Sequence, residues 1–117
     1  MSSGAAVQGS PLSGGYAGAK AAIRFLTRYA ADESERHGLG VRFISVLPKL
    51  TPATDLGAAA AAAYAARAGE DLAAYLAKTG PALSAEQVGQ AVLALATGPD
   101  NDQDAYLLTA AGLSPLT

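Results

Sequence analysis

The spacing of apolar and polar positions changes several times along the chain, and each change marks an element. Residues 1–15 are mostly Ser, Gly and Ala with one proline and no period, which predicts a loop. From Ser13 or Gly14 a three- and four-residue spacing begins, through Ala17, Lys20, Ala21, Arg24, Phe25, Arg28 and Tyr29. Ile23 and Leu26 widen its apolar surface. This predicts a helix over 16–37, closed by the polar run DESERHG and by Gly38 and Gly40. VRFISVLP, residues 41–48, is β-branched and aromatic-rich, with apolar residues on both faces after Arg42. It reads as a strand covered on both sides and stopped at Pro48.

The next segment, 49–80, starts as a loop, KLTPATDLG. It continues as an alanine-rich helical region from Ala58 to Lys78, with a break at Gly69. SAEQVGQAVLALATGP carries the sharpest signals, predicting a helix over 84–97. Ser84 with Gln87 makes a capping box and Leu83 with Val88 a hydrophobic staple. Val88, Ala91, Val92 and Leu95 line one face, and Gly98 followed by Pro99 ends the helix. DNDQD (100–104) predicts a turn and AYLLT (105–109) a short buried strand. No internal repeat is visible.

Strands alternating with helices predict an α/β fold with a parallel sheet. Two strands are too few to stand alone, so the pattern is that of an incomplete domain. Composition points the same way. Half of the 117 residues are apolar, but much of that half is alanine, which buries little area. A formal charge of −2 with scattered lysines and arginines gives no basic stripe, so no nucleic-acid partner is expected. The absence of cysteine removes disulfides, thiol catalysis and zinc–thiolate sites. His37, the only histidine, falls in the polar run at a helix end, which argues against Ser-His-Asp catalysis and histidine-based metal binding. MSSGAAVQGS has neither a basic stretch nor a long apolar stretch of a signal peptide, and AAAAAA (58–63) is too short to span a bilayer. A cytoplasmic chain with no membrane partner is the expectation.

The candidate chemistry lies in SGGYAGAK, residues 13–20. Tyr16 and Lys20 are four apart and therefore neighbours on one helix face. An ammonium near a phenol favours the phenolate, and a tyrosine tuned in that way can exchange a proton with an alcohol or carbonyl. Gly15, Ala17, Gly18 and Ala19 would allow close approach of a substrate or cofactor. By itself Tyr-x-x-x-Lys is a common spacing, and a half-buried tyrosine beside a solvated lysine is the plainer reading of the pair.

The wider context resembles the short-chain dehydrogenase/reductase family, whose signature is a serine followed by Tyr-x-x-x-Lys. That serine commonly stands thirteen residues before the tyrosine, which here is Ser3; Ser2 is the alternative. MSSGAA looks like the end of the family's strand before the active site. The helix, the strand RFISVLP and the segment LSAEQVGQAVLALATG…AYLLT then follow in the family's order. The resemblance covers the whole chain, as the family's C-terminal half, and implies part of a doubly wound Rossmann-like parallel sheet. It implies an oxidoreductase interconverting an alcohol and a carbonyl by hydride transfer with NAD or NADP. Ser3 would bind the substrate oxygen, Tyr16 would be the general acid/base, and Lys20 would tune Tyr16 and hold the cofactor ribose. Pro48 matches the residue that follows the second strand, but Lys49 stands where the family usually has glycine. Thr51 or Thr54 would serve as the threonine near the nicotinamide amide. The 49–80 segment would cover the substrate, with Tyr64, Leu72, Tyr75 and Leu76 as candidates to face it. The 16–37 helix would form a homo-oligomer interface.

The family's first half holds the glycine-rich turn for the pyrophosphate, and no such turn follows a strand in this chain. The main cofactor-binding half is thus expected to be missing, with Met1 an internal methionine read as a start or the gene truncated. The chain alone is then expected to be inactive. Two alternatives follow: a non-catalytic remnant or dimerising interaction module, and a stand-alone α/β module of unrelated function.

Overall fold

In a computed structural model the chain is an α/β protein. Residues 1–99 and 102–116 are described, so the turn read over 100–104 lies partly outside them. Five helices and three strands are found among the described residues. In chain order they are α1 (Ala5–Gln8), α2 (Gly14–Arg36), β1 (Ser45–Pro48), α3 (Asp55–Ala68), α4 (Leu72–Lys78), α5 (Ala85–Thr97), β2 (Ala105–Thr109) and β3 (Gly112–Pro115).

The sheet order is β1-β2-β3, with β1 and β2 parallel and β2 and β3 antiparallel. The crossover from β1 to β2 runs through α3, α4 and α5, as the alternating pattern predicted. The sheet is mixed, however, because β3 adds an antiparallel edge that the sequence reading did not include. A two-residue Ala110-Ala111 link joins Thr109 to Gly112, where hairpins of this length favour Asn-Gly or Asp-Gly. The turn is held by the Thr109 hydroxyl, which accepts from the Ala111 N–H, and by Gly112 at φ 114°.

β1 is also shorter than the 41–48 stretch predicted for it. Its ladder begins where its partner begins, at Ser45 opposite Ala105. Residues 41–44 are held by side chains instead. The Ser34 hydroxyl donates to the Val41 carbonyl and accepts its N–H, while the Arg42 guanidinium donates to the Leu95 carbonyl at the C-terminal end of α5. A cation there is favoured by the helix dipole.

Alternation along β1 and β2 separates two faces. Val46, Tyr106 and Leu108 form a buried cluster with Leu83 and Leu95, and Val88 and Ala91 of α5 pack against it. Val92, read as part of the same stripe, is 38% exposed. Ser45 and Leu47 point to the other face, where α2 lies against β1. Helix ends match their capping residues: Ser84 and Gln87 form the full capping box, Thr54 caps α3 and Asp71 caps α4. Gly69, the predicted break, closes α3 in the left-handed conformation.

The first four residues extend the sheet beyond β1. Ser2 N–H donates to the Val46 carbonyl at 2.8 Å and Gly4 N–H to that of Pro48 at 2.9 Å. Donation at every second residue in the same direction is half of a parallel ladder. The return bond onto Ser2 would have to come from residue 48, and proline has no N–H to give.

The tightest packing is at the start of α3. A Cβ on Gly57 would lie 1.9 Å from the Thr51 carbonyl oxygen, whereas one on Gly89 of α5 would meet open space. Gly57→Ala should lower stability by about 2–3 kcal/mol, and Gly89→Ala should raise it by about 0.5–1 kcal/mol. Urea midpoints of the two variants, moving in opposite directions from the parent chain, are the check.

Candidate functional site

The N-terminal segment and the first turns of α2 meet beside β1. Ser2 is buried, and its hydroxyl donates to the Lys20 carbonyl at 2.7 Å, tying the strand-like segment to the helix. The Lys20 ammonium reaches back to the Met1 carbonyl at 3.3 Å. It stands 5.7 Å from the centroid of the Tyr16 ring, within cation–π range. Tyr16 itself is 45% exposed, and its hydroxyl makes no hydrogen bond among the described residues. The i, i+4 spacing thus places the two side chains together, with the ammonium over the ring rather than on the phenol oxygen.

Ser3 lies next to this pair along the chain, and its hydroxyl accepts the N–H of Ala5 at 3.2 Å, at the start of α1. The two serines therefore differ. Ser2 is a buried strut, and Ser3 is the one whose hydroxyl is only partly covered. Pro48 is carried to the same end of the sheet by its bond from Gly4. Lys49, at the position of the family glycine, passes over this junction: its Cγ would lie 3.7 Å from a Cβ on Gly4.

Thr51 and Thr54 are placed differently. They form the turn into α3, with their hydroxyls 3.2 Å apart. Thr54 donates to the Thr51 carbonyl and accepts the Gly57 N–H, so its hydroxyl is fully used in capping. Thr51 keeps acceptor capacity. No hydrogen bond joins either threonine to Tyr16 or Lys20 among the described residues. His37 is the C-cap residue of α2, exposed and 3.3 Å from the Glu33 carboxylate.

Beside these predicted residues stands a group that sequence spacing did not single out as a unit. The Tyr64 hydroxyl of α3 donates to Ser10 Oγ at 3.3 Å, Ser10 and Ser13 hydrogen-bond through their hydroxyls, and Ser13 Oγ donates to the Ser10 carbonyl at 3.0 Å. In sequence Tyr64 is a candidate to face a substrate. Its contact with Ser10 crosses more than fifty positions of sequence, a separation no periodicity encodes.

The side of α2 turned away from the sheet is apolar and uncovered. Phe25, Leu26 and Tyr29 are 70%, 60% and 58% exposed. No described helix is long and apolar enough to cross a membrane. Comparison of the chain with protein-family models, with curated proteins and with solved structures gave no match.

The two serines are separable by stability. Ser2→Ala removes a buried hydrogen bond and should lower stability by about 1 kcal/mol, whereas Ser3→Ala should change it by less than about 0.5 kcal/mol. Equal losses in thermal or urea unfolding would contradict the roles assigned to them.

Proposed function

We propose that this chain is the proton-transfer half of an NAD(P)-dependent oxidoreductase of the short-chain dehydrogenase type, acting on an alcohol or carbonyl. The observation that carries the reading is the course of Met1–Gly4 along β1. It brings Met1 and Ser2 onto Lys20, one turn after Tyr16, with Ser3 next along the chain. Serine, tyrosine and lysine are the three groups such a reaction needs on the protein side, and the contacts of Ser2 and Met1 with Lys20 support reading them as one site.

In this reading Ser3 donates to the substrate oxygen and Tyr16 transfers the proton to or from it. Proton transfer by a positioned side chain contributes about 10²–10⁴-fold. Lys20 holds positive charge beside the phenol and binds cofactor hydroxyls. Pro48 and Thr51 would hold the nicotinamide end of the cofactor, with Thr54 committed to its cap. NAD or NADP supplies the hydride. α/β with a mixed three-stranded sheet is the fold of the chain. Its place within a larger doubly wound sheet, extended past Met1–Gly4, belongs to the proposal, as does a cytoplasmic location.

The uncovered Phe25, Leu26 and Tyr29 favour a second element of the proposal, a homo-oligomer through α2. Sedimentation analysis should show a species larger than a monomer that Phe25→Glu converts to monomer. A parent chain that is monomeric across the concentration range rules out this interface.

The activity is tested by NAD(P)H oxidation on a panel of carbonyl compounds. The protein assayed is the polypeptide that the gene's reading frame encodes, taken upstream of Met1 as far as the frame stays open. Carbonyl-dependent turnover that falls at least about 100-fold in Tyr16→Phe, with cofactor binding retained, is the expected result. Turnover unchanged in Tyr16→Phe would remove the acid/base role from this residue. An upstream frame with no glycine-rich strand–turn–helix would remove the family assignment.

A further inference from the structure

We propose that Tyr64 is a positioning residue for Tyr16, acting through a chain of hydroxyls that ties α3 to the first turn of α2. The link to Tyr16 chemistry rests on the function proposed above; the mechanical coupling does not.

Each step of the chain has its donor and acceptor. Tyr64 O–H donates to Ser10 Oγ, Ser10 O–H is left to donate to Ser13 Oγ, and Ser13 O–H donates to the Ser10 carbonyl. Ser13 is the N-cap residue of α2, yet its side chain caps nothing. A serine at an N-cap ordinarily accepts an N–H of its own helix. Here the hydroxyl is turned toward Ser10, so the orientation of the cap residue is set from outside the helix. The Ser13 carbonyl accepts the first intrahelical bond, from Ala17 N–H at 2.7 Å, and Tyr16 lies inside that turn.

Two further features show that this loop is held rather than relaxed. Leu12, between Ser10 and Ser13, has φ 59°, a left-handed conformation that a leucine adopts only when its surroundings impose it. It is also 67% exposed, so its side chain is not what imposes the conformation. At the other end, Tyr64 is braced by Tyr75 of α4, with ring centroids 6.4 Å apart and planes tilted by 52°. The path thus runs from α4 through α3 to the loop and into α2.

The test is amide hydrogen exchange on the intact chain, comparing the parent with Tyr64→Phe. The variant keeps the ring contact with Tyr75 and loses only the hydroxyl. The amides of Ala17 and the following turn should exchange about five-fold faster, the factor one ordinary hydrogen bond is worth. Amides of α5 and β2 should be unchanged, which separates local release from general destabilisation. Ser10→Ala should reproduce the effect, and the double variant should add nothing to it, because both remove the same chain. Unchanged exchange at Ala17, or equal acceleration throughout the protein, overturns the coupling. Exchange needs no turnover, so the coupling can stand where the oxidoreductase reading fails. Where turnover is found, Tyr64→Phe should lower kcat several-fold at constant KM. Full kcat beside released exchange would overturn the role toward Tyr16.

Discussion

The carbonyl edge of β1 sets the course of most of the molecule. On one side the strand pairs in parallel with β2; on the other, Val46 and Pro48 accept the N–H groups of Ser2 and Gly4. With both edges occupied, four residues serve as the centre of the sheet. Their side chains alternate between the Leu83–Leu95 cluster on one face and α2 on the other. Because the N-terminal segment is fixed to this strand, the start of α2 is fixed too: the Ser2 hydroxyl lies on the Lys20 carbonyl, one turn after Tyr16. Strand placement thus sets where Lys20, and Tyr16 beneath its ammonium, lie relative to β1.

Much of this was legible in residue spacing. The capping box at Ser84 and Gln87, the break at Gly69, the strand at 105–109 and the shared face of Tyr16 and Lys20 follow from local rules. Each depends on contacts within about one helical turn or on a strand's own alternation. Residues 1–15 read as a loop, yet Ala5–Gln8 close one helical turn, α1, through local bonds; the rest of what escaped was set by partners distant in sequence. β1 loses residues 41–44 because β2 starts only at Ala105, a limit that VRFI does not contain. β3 forms from GLSP because β2 has a free edge, although Ala-Ala is a poor hairpin signal. The pairing of Met1–Gly4 with β1 was not foreseen, since MSSG carries no β-propensity of its own.

The same division runs through the site. The resemblance favours Ser3 over Ser2, and the bonding distinguishes the two: the Ser2 hydroxyl is buried against the Lys20 carbonyl, and the half-buried Ser3 hydroxyl accepts the Ala5 N–H. Thr51 and Thr54 were equal candidates in sequence. Capping commits Thr54 and leaves Thr51 the less encumbered of the two. The aromatic residues of α2 were read as part of one apolar surface. The helix turns Ala17, Lys20, Thr27 and Ser34 toward the sheet instead, and leaves Phe25 and Tyr29 outside.

The contact between Gly57 and the Thr51 carbonyl also bears on how such a chain can change over time. With no room for a side chain at Gly57 and with Thr54 bonded on both sides, the path from Pro48 to the first turn of α3 has a fixed length. Insertions there would shift the whole helix relative to the sheet. The connections at Gly69–Asp71 and Thr79–Ala82 are exposed or half-exposed and carry few such constraints. A change in length is accommodated more readily in α4 and its flanking loops than at the root of α3, which stays registered to the strand end it rises from.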